Sequence, residues 1–230
     1  MLTLKNTEVM NFEAAIRGMR NPLNSWDKSD SEYCVDRASC KGCKYLSDAH
    51  CQYSNCSIPY VIGGNDLALA QKLIKAGSDH RKFMRQIFVS VDITAPLYWW
   101  KEFDTYKVGT VANSCSTMHT IHKKEFTLSD FSWEQLLEPG LQLLEATIDF
   151  LNTNRARFLE TGNKLYWYQM IQSLSTSYNQ TRTVTLNYEN LRNIYNSRRN
   201  HKLDEWRVYF IRWIESLPYA EELIKYQNGD

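Results

Sequence analysis

Residues 80–118 read HRKFMRQIFVSVDITAPLYWWKEFDTYKVGTVANSCSTM, and this stretch decides the fold. Apolar and polar side chains alternate over residues 86–94, which predicts a β-strand with one buried face. The inward positions are Ile87, Val89, Val91 and Ile93. Pro96 ends the strand, and the aromatic run LYWW after it is expected to pack in the core rather than to bind a ligand.

Amphipathic helices are predicted on both sides of this strand. One runs from Asn11 to Arg20, and a second begins with Asn65 as its N-cap and stops near Gly77. Two more apolar stripes follow later in the chain. They consist of Leu141, Leu144, Ile148 and Leu151, and of Trp206, Phe210, Trp213 and Leu217. This order of elements favours an α+β fold in which helices pack on a mixed sheet.

Length and charge limit the classes of function that the chain can have. Its 230 residues, 43% of them hydrophobic, suit one domain over residues 1–230 with a substantial core. The net charge of +1 gives no electrostatic reason to expect a nucleic-acid or membrane partner. No apolar run is long enough to span a bilayer, and the polar N-terminus is unlike a signal peptide. We therefore expect a cytoplasmic protein.

A cysteine-rich insertion is predicted at about residues 27–64, where helical periodicity disappears and five of the six cysteines lie. Four of them are candidate ligands of a structural zinc ion, which needs four thiolate or imidazole groups in a tetrahedron. These four are Cys40, Cys43, Cys51 and Cys56. The alternative is free thiols on a flexible insertion, because thiols stay reduced in the cytoplasm.

Two blocks of the sequence resemble the flavin-dependent thymidylate synthases. In the first block, His80 stands at the family's histidine, Ala95-Pro96 at its Ala-Pro step and Glu102 at a glutamine. The signature Arg-His-Arg-x-x-Ser is altered, since residues 105–110 read TYKVGT. The second block matches the leucine of a Leu-Pro step, a Thr-x-Asn, a later asparagine and an arginine in one ungapped alignment. Its matching residues are Leu174, Thr185, Asn187, Asn193 and Arg198.

The resemblance implies a fold, a cofactor and a set of binding residues. It implies the flavin-dependent thymidylate synthase fold, with FAD as cofactor and a homotetramer as the assembly. The implied FAD-binding residues are His80, Tyr106, Lys107, Thr110, Asn113, Asn187 and Asn193. Those implied for the nucleotide are Glu102, Cys115 and Arg198. No catalytic residue is assigned.

The implied activity is methylation of a deoxyuridine nucleotide, or of a related pyrimidine, by methylene-tetrahydrofolate and reduced flavin, with NADPH as a further co-substrate. Three positions depart from this pattern, because Thr105, Thr117 and Ile171 stand where the family has arginines. Phosphate affinity should fall, since a charge-assisted hydrogen bond contributes about 1.5–3 kcal/mol. Glu102 would repel a phosphate but could accept hydrogen bonds from another base or sugar.

Two other functions remain open. The first is a catalytically inactive relative that keeps the fold and binds flavin or nucleotide. The second is a zinc-knuckle protein that binds nucleic acid, and the near-neutral charge speaks against it. Its basic cluster would be Arg192, Arg198, Arg199 and Lys202.

Overall fold

The computed structural model describes residues 2–33, 46–47, 50–51 and 60–226. The strands are β1 (Thr3–Met10), β2 (Glu32–Tyr33), β3 (Leu46–Ser47), β4 (His50–Cys51), β5 (Tyr60–Val61), β6 (Phe88–Pro96), β7 (Val111–Ser114) and β8 (Asn179–Asn187). The α-helices are α1 (Phe12–Met19), α2 (Gly64–Lys75), α3 (Leu97–Phe103), α4 (Thr117–Thr120), α5 (Glu138–Thr161), α6 (Lys164–Gln172), α7 (Tyr188–Arg198) and α8 (Ile211–Glu215). A π-helical segment, Glu205–Phe210, runs directly into α8, and another covers Ala220–Ile224.

Four strands form the main sheet, in the order β1-β6-β8-β7. The two central strands pair over their whole length, from Phe88 opposite Asn187 to Pro96 opposite Asn179. The α+β class is confirmed. A mixed sheet was expected, but all three strand pairs of the main sheet are antiparallel. The chain runs straight from the central strand β6 into α3, so Pro96 is the last residue of the strand.

The inner face of β6 confirms the predicted alternation. Val89, Val91 and Ile93 are buried, and Ile87 is buried just before the strand begins. The outer strand β1 carries no such pattern, because most of its side chains are exposed. A bulge between Lys5 and Glu8 interrupts its pairing with β6. The sequence pattern of β1 therefore gave no strand prediction.

The main core is built around stacked aromatic rings, as the LYWW run predicts. The ring centroids of Trp99 and Trp206 lie 4.5 Å apart, and those of Trp99 and Phe103 lie 5.0 Å apart. All three side chains are buried. Helix α3 thereby packs against the π-helical segment that precedes α8, and the predicted stripe through Trp206 and Phe210 faces this core.

A second, smaller core lies between α5, α6 and residues 121–131. Leu144, Ile148 and Leu151 of the predicted stripe are buried there, together with Met170 of α6. Several large apolar side chains of this helix pair, and of the residue before it, are exposed. They are Leu137, Leu143, Phe150, Leu159 and Leu165.

Helix α2 has a different N-terminus from the predicted one. Its N-cap is Gly63, not Asn65, and glycine has no side chain that could bond to the helix. The carboxylate of Asp30 caps the helix from a distance, because it accepts hydrogen bonds from the N–H groups of Asn65 at 2.8 Å and Asp66 at 3.0 Å. A long-range cap of this kind has no local sequence signal.

Asp66 links the two described ends of the segment that the sequence predicts to be a cysteine-rich insertion. Its carboxylate is buried, pairs with Arg20 and accepts hydrogen bonds from the hydroxyl groups of Ser29 and Ser31. Burial acts to raise the pKa of Asp66, but the hydrogen bonds from Ser31, Ser29 and Arg20 outweigh burial and leave this pKa lowered from its ordinary value of 3.8. Strands β2 and β5 pair beside this cluster.

The helices of the described residues include none that is long and apolar enough to cross a membrane. The zinc prediction concerns residues that the structure does not describe: Cys40, Cys43 and Cys56 lie outside the described ranges, and Cys51 is described only as part of β4. Within the described part of the chain, no three His, Cys, Asp or Glu side chains form a metal-binding group.

Candidate functional site

The fold brings the two blocks of the sequence resemblance together. Strand β7 belongs to the first block and pairs with β8 of the second, with Val111 opposite Thr185 and Asn113 opposite Thr183. The loop before β7 therefore lies next to the start of α7, which follows β8 directly. Residues far apart in sequence meet at this end of the sheet.

Glu102 and Arg198, both predicted to bind the nucleotide, contact each other. Arg198 Nη1 lies 2.7 Å from Glu102 Oε1. Arg198 Nε donates a hydrogen bond to the hydroxyl oxygen of Tyr106 at 2.8 Å, and the guanidinium carbon lies 5.6 Å from the centre of that ring. The arginine therefore has partners within the chain on two of its nitrogens.

Two residues that sequence reasoning did not place in the site complete this cluster. Trp206 Nε1 donates to Glu102 Oε2 at 2.7 Å, and His201 Nε2 lies 3.2 Å from Glu102 Oε1. The apolar stripe marked Trp206 only as a core residue. Its rings are buried in the core, and its N–H also contacts the carboxylate of Glu102. Glu102, Tyr106, Arg198, His201 and Trp206 are called the Glu102 cluster below.

The start of α7 holds the altered signature loop in place. Asn187 and Asn190 cap the helix reciprocally, since each side-chain oxygen accepts the other residue's backbone N–H. Asn190 Nδ2 also donates to the carbonyl oxygen of Val108 at 2.6 Å. Gly109 has a φ of +75°, and a Cβ there would lie 2.8 Å from Asn187 Nδ2. Asn190 is thus a site residue that the resemblance did not include.

The residues predicted to bind FAD fall into two groups. Asn187 and Thr110 lie at the junction of the loop with α7, and Tyr106 belongs to the Glu102 cluster. Lys107, Asn113, Asn193 and His80 are exposed, and their side chains have no hydrogen bond or ion pair within the described chain. His80 lies next to Arg81, whose Nε bonds both carboxylate oxygens of Glu189 in the first turn of α7.

Thr110 supplies a test of whether this junction suits a ligand. Its Oγ1 is buried and has no hydrogen-bond partner among the described residues. A buried hydroxyl without a partner is costly, so it points to a missing polar group. Exposed amides and one lysine on the same elements are further polar groups for a large polar cofactor. These residues fit a flavin nucleotide.

The remaining predicted positions have no contact with the Glu102 cluster among the hydrogen bonds and ion pairs of the described residues. Cys115 is exposed and forms no disulfide, and its backbone bonds to Thr181 and to the side chain of Gln180. Thr117 begins the short helix α4, and Ile171 packs partly buried against the second core. Neither provides a cation.

Known proteins resemble this chain in structure and not in sequence. No protein-family model matches it, and no curated protein does. Thymidylate synthase X from Helicobacter pylori, solved with FAD and dUMP, is similar with a TM-score of 0.62, 14% identity and 97% of each chain covered. A second Helicobacter pylori structure, a flavin-dependent thymidylate synthase complexed with FAD and dUMP, gives 0.61 and 15%, over 97% of this chain and 96% of that one.

A methylase of related chemistry has the same fold. The UMP/dUMP methylase PolB from Streptomyces cacaoi, bound with 5-Br UMP, is similar with a TM-score of 0.57 and 11% identity, over 98% of this chain and 94% of that one. Such identities establish a fold and no more. The chain has the fold of the flavin-dependent thymidylate synthases, and this expectation from the sequence is confirmed.

Proposed function

We propose that this chain is a divergent member of the flavin-dependent thymidylate synthase family that methylates a pyrimidine nucleotide or a related pyrimidine. One observation carries the proposal: the two resemblance blocks converge, so that Tyr106 and Glu102 from one block contact Arg198 from the other. The solved proteins of the same fold were bound with FAD and dUMP, or with 5-Br UMP. These ligands support a flavin and a pyrimidine nucleotide as the ligand classes proposed here.

In this proposal FAD lies at the junction of the signature loop with α7. When bound, reduced FAD would supply the electrons that turn the one-carbon unit transferred from methylene-tetrahydrofolate into a methyl group on the pyrimidine, and NADPH would reduce the flavin again. Thr110 forms one buried hydrogen bond with FAD in this proposal. Asn193 provides a side-chain amide from helix α7. Lys107 contributes a positive charge, although a lysine holds a phosphate only as a point charge, without the fork of an arginine.

The pyrimidine lies beside the Glu102 cluster. Arg198 is the only arginine in the cluster, and its position is set by Glu102 and Tyr106 before any ligand arrives. Preorganised groups cost no reorganisation when charge develops on a substrate. We assign these residues to binding and orientation, and Cys115 to the rim of the site because its thiol is exposed.

A homotetramer is part of the proposal. Helices α5 and α6 leave apolar side chains uncovered, and Leu137 and Leu143 are 80% and 70% exposed. Exposed apolar side chains commonly mark an interface when they lie close together on the surface. Light scattering coupled to gel filtration measures the mass in solution, and Leu143→Glu should lower that mass while Glu145→Lys, on the same helix, should not. A monomeric wild type would overturn this part of the proposal.

A non-catalytic binding module is the second candidate. It is favoured by the ion pair of Arg198 with Glu102, which reduces the positive charge available to a substrate. A protein that retains FAD but forms no methylated product with any pyrimidine would establish this second function.

The first test is the absorbance spectrum of protein purified with FAD present and then freed of unbound ligand. A flavin band that bleaches on reduction and shifts when a pyrimidine is added is the expected result. Thr110→Val should weaken FAD binding without lowering the melting temperature, because the lost hydroxyl has no partner in the protein. Thr153→Val, at an exposed position of α5 whose hydroxyl makes no hydrogen bond within the described chain, is the matched control.

Product formation is the second test. Protein loaded with FAD is incubated with methylene-tetrahydrofolate, NADPH and a series of uracil nucleosides and nucleotides, and mass spectrometry detects a methylated base. Failure to retain FAD at any concentration would remove both the enzyme and the flavin-binding module from consideration.

A further inference from the structure

We propose that Glu102 sets the substrate class of this site, which accepts an unphosphorylated pyrimidine nucleoside in preference to a nucleoside monophosphate. The inference rests on the proposed function and refines it. It starts from the ion pair between Glu102 and Arg198 and not from any ligand of the solved relatives.

The first step concerns the hydrogen-bonding capacity of Arg198. A guanidinium holds a phosphate strongly when two parallel N–H groups point at it. Here Nη1 pairs with Glu102 at 2.7 Å, and Nε donates to the Tyr106 hydroxyl at 2.8 Å. A phosphate gripped in that way would have to displace the carboxylate from Nη1 or the phenol from Nε.

The second step concerns the position of the carboxylate. Three side chains contact Glu102: Arg198 Nη1 and His201 Nε2 lie 2.7 and 3.2 Å from Oε1, and Trp206 donates a hydrogen bond to Oε2. Trp206 cannot move away easily, since its indole is buried and stacked on Trp99 in the core. Glu102 therefore keeps a negative charge at a fixed place, where it repels the two negative charges of a phosphate monoester.

The third step concerns what the cluster can bind instead. An ionised carboxylate has about four acceptor sites, and three nitrogens of the chain lie within 3.2 Å of its oxygens here. One acceptor site of Glu102 is left for a donor from a ligand, such as a sugar hydroxyl of a nucleoside. The pair is reachable, since the side chains of Arg198 and Glu102 are 21% and 26% exposed.

The experiment compares deoxyuridine with dUMP on FAD-loaded protein by isothermal titration calorimetry. The wild type should bind deoxyuridine at least tenfold more tightly than dUMP. Glu102→Gln removes the charge but keeps an acceptor for Trp206, and it should shift the ratio of the two affinities toward dUMP by tenfold or more. Asp104→Asn is the matched control, because it removes a charge two residues away that pairs with Arg182.

Each outcome decides one question. Retention of FAD tests the proposed function, and without it the inference falls as well. If FAD is retained and the wild type binds dUMP as tightly as deoxyuridine, or binds neither, the inference is overturned while flavin binding stands. An unchanged ratio in Glu102→Gln, or an equal shift in Asp104→Asn, also overturns it. If Glu102→Gln does not fold, the wild-type ratio alone decides.

Discussion

The side chain of Asn190 joins the signature loop to helix α7: its Nδ2 donates to the carbonyl oxygen of Val108 at 2.6 Å, and its Oδ1 accepts the backbone N–H of Asn187 at 3.3 Å. Asn190 is buried, so neither group has water as a ready substitute. One residue thus holds together two segments that we propose to bind FAD.

Asn190→Ala should therefore lower both stability and flavin affinity. It leaves the buried N–H of Asn187 without its partner and frees the carbonyl oxygen of Val108, which costs about 1–3 kcal/mol of unfolding free energy. We expect the FAD dissociation constant to rise about tenfold, equivalent to ~1.4 kcal/mol. Urea unfolding and flavin titration measure the two effects. An unchanged unfolding free energy would show that the contact with Val108 does not stabilise the fold.

Asn193→Ala separates binding from stability on the same helix. Asn193 is exposed and makes no hydrogen bond within the described chain, and alanine has the higher helix propensity, so stability should stay equal or rise by up to about 0.5 kcal/mol. The proposed function predicts weaker FAD binding nonetheless. Normal flavin affinity in this variant would remove Asn193 from the site.

Gly109→Ala tests the close approach of the loop to α7. Gly109 and Gly162 both have positive φ, at +75° and +65°, but only a Cβ at Gly109 would meet other atoms within 4 Å. Gly162→Ala should cost about 1–2 kcal/mol for its backbone conformation alone. Gly109→Ala should cost more and should also weaken FAD binding, as thermal melts and flavin titration would show. Equal losses in the two variants would argue against the close packing.

Asp66→Asn should be among the most damaging substitutions at the base of the insertion. It leaves the buried Arg20 guanidinium without its counter-charge, and breaking a buried pair in this way costs about 3–5 kcal/mol. Asp104→Asn breaks a pair whose carboxylate is 48% exposed, so we expect a loss of at most about 1 kcal/mol. Urea unfolding of both variants decides, and similar small losses would contradict the prediction.

Acid should remove the contribution of Asp66 to stability. Its pKa is lowered in the folded protein from the ordinary 3.8, so the folded state binds fewer protons than the unfolded state between these two values. The contribution is complete above 3.8 and is lost as the pH falls through the lower, folded pKa. The difference in unfolding free energy between wild type and Asp66→Asn should become smaller as the pH falls from about 5 to about 2. A constant difference in unfolding free energy over this pH range would show that ionisation of Asp66 does not contribute to stability.

Local patterns predicted several of the elements that have a buried face, but not β8 or α7. The alternation around Val91 gave β6, and the apolar stripes gave α1, α2, α5 and the helical segment through Trp206. β1 was missed because an edge strand with exposed side chains has no alternation to detect. The cap of α2 was misplaced because Asp30, not a neighbour in sequence, supplies it.

The candidate site was predictable as a set of residues but not as an arrangement. The resemblance selected Glu102, Tyr106 and Arg198, and the structure brings these three into contact. The sequence could suggest that Glu102 repels a phosphate. It could not show that the same carboxylate pairs with Arg198 and is held by Trp206, since those contacts depend on how α3 packs beside the π-helical segment.

The pairing of β2 with β5 joins the two ends of the segment that lies between them. Glu32 lies opposite Val61 and Tyr33 opposite Tyr60, so the two ends of the intervening segment stand side by side on a base locked by Asp66. Closing a longer segment across such a base costs only about 0.6 kcal/mol for each doubling of its length. Evolution can lengthen, shorten or exchange this segment, and an engineer can use it to attach a reporter domain, with little effect on the sheet.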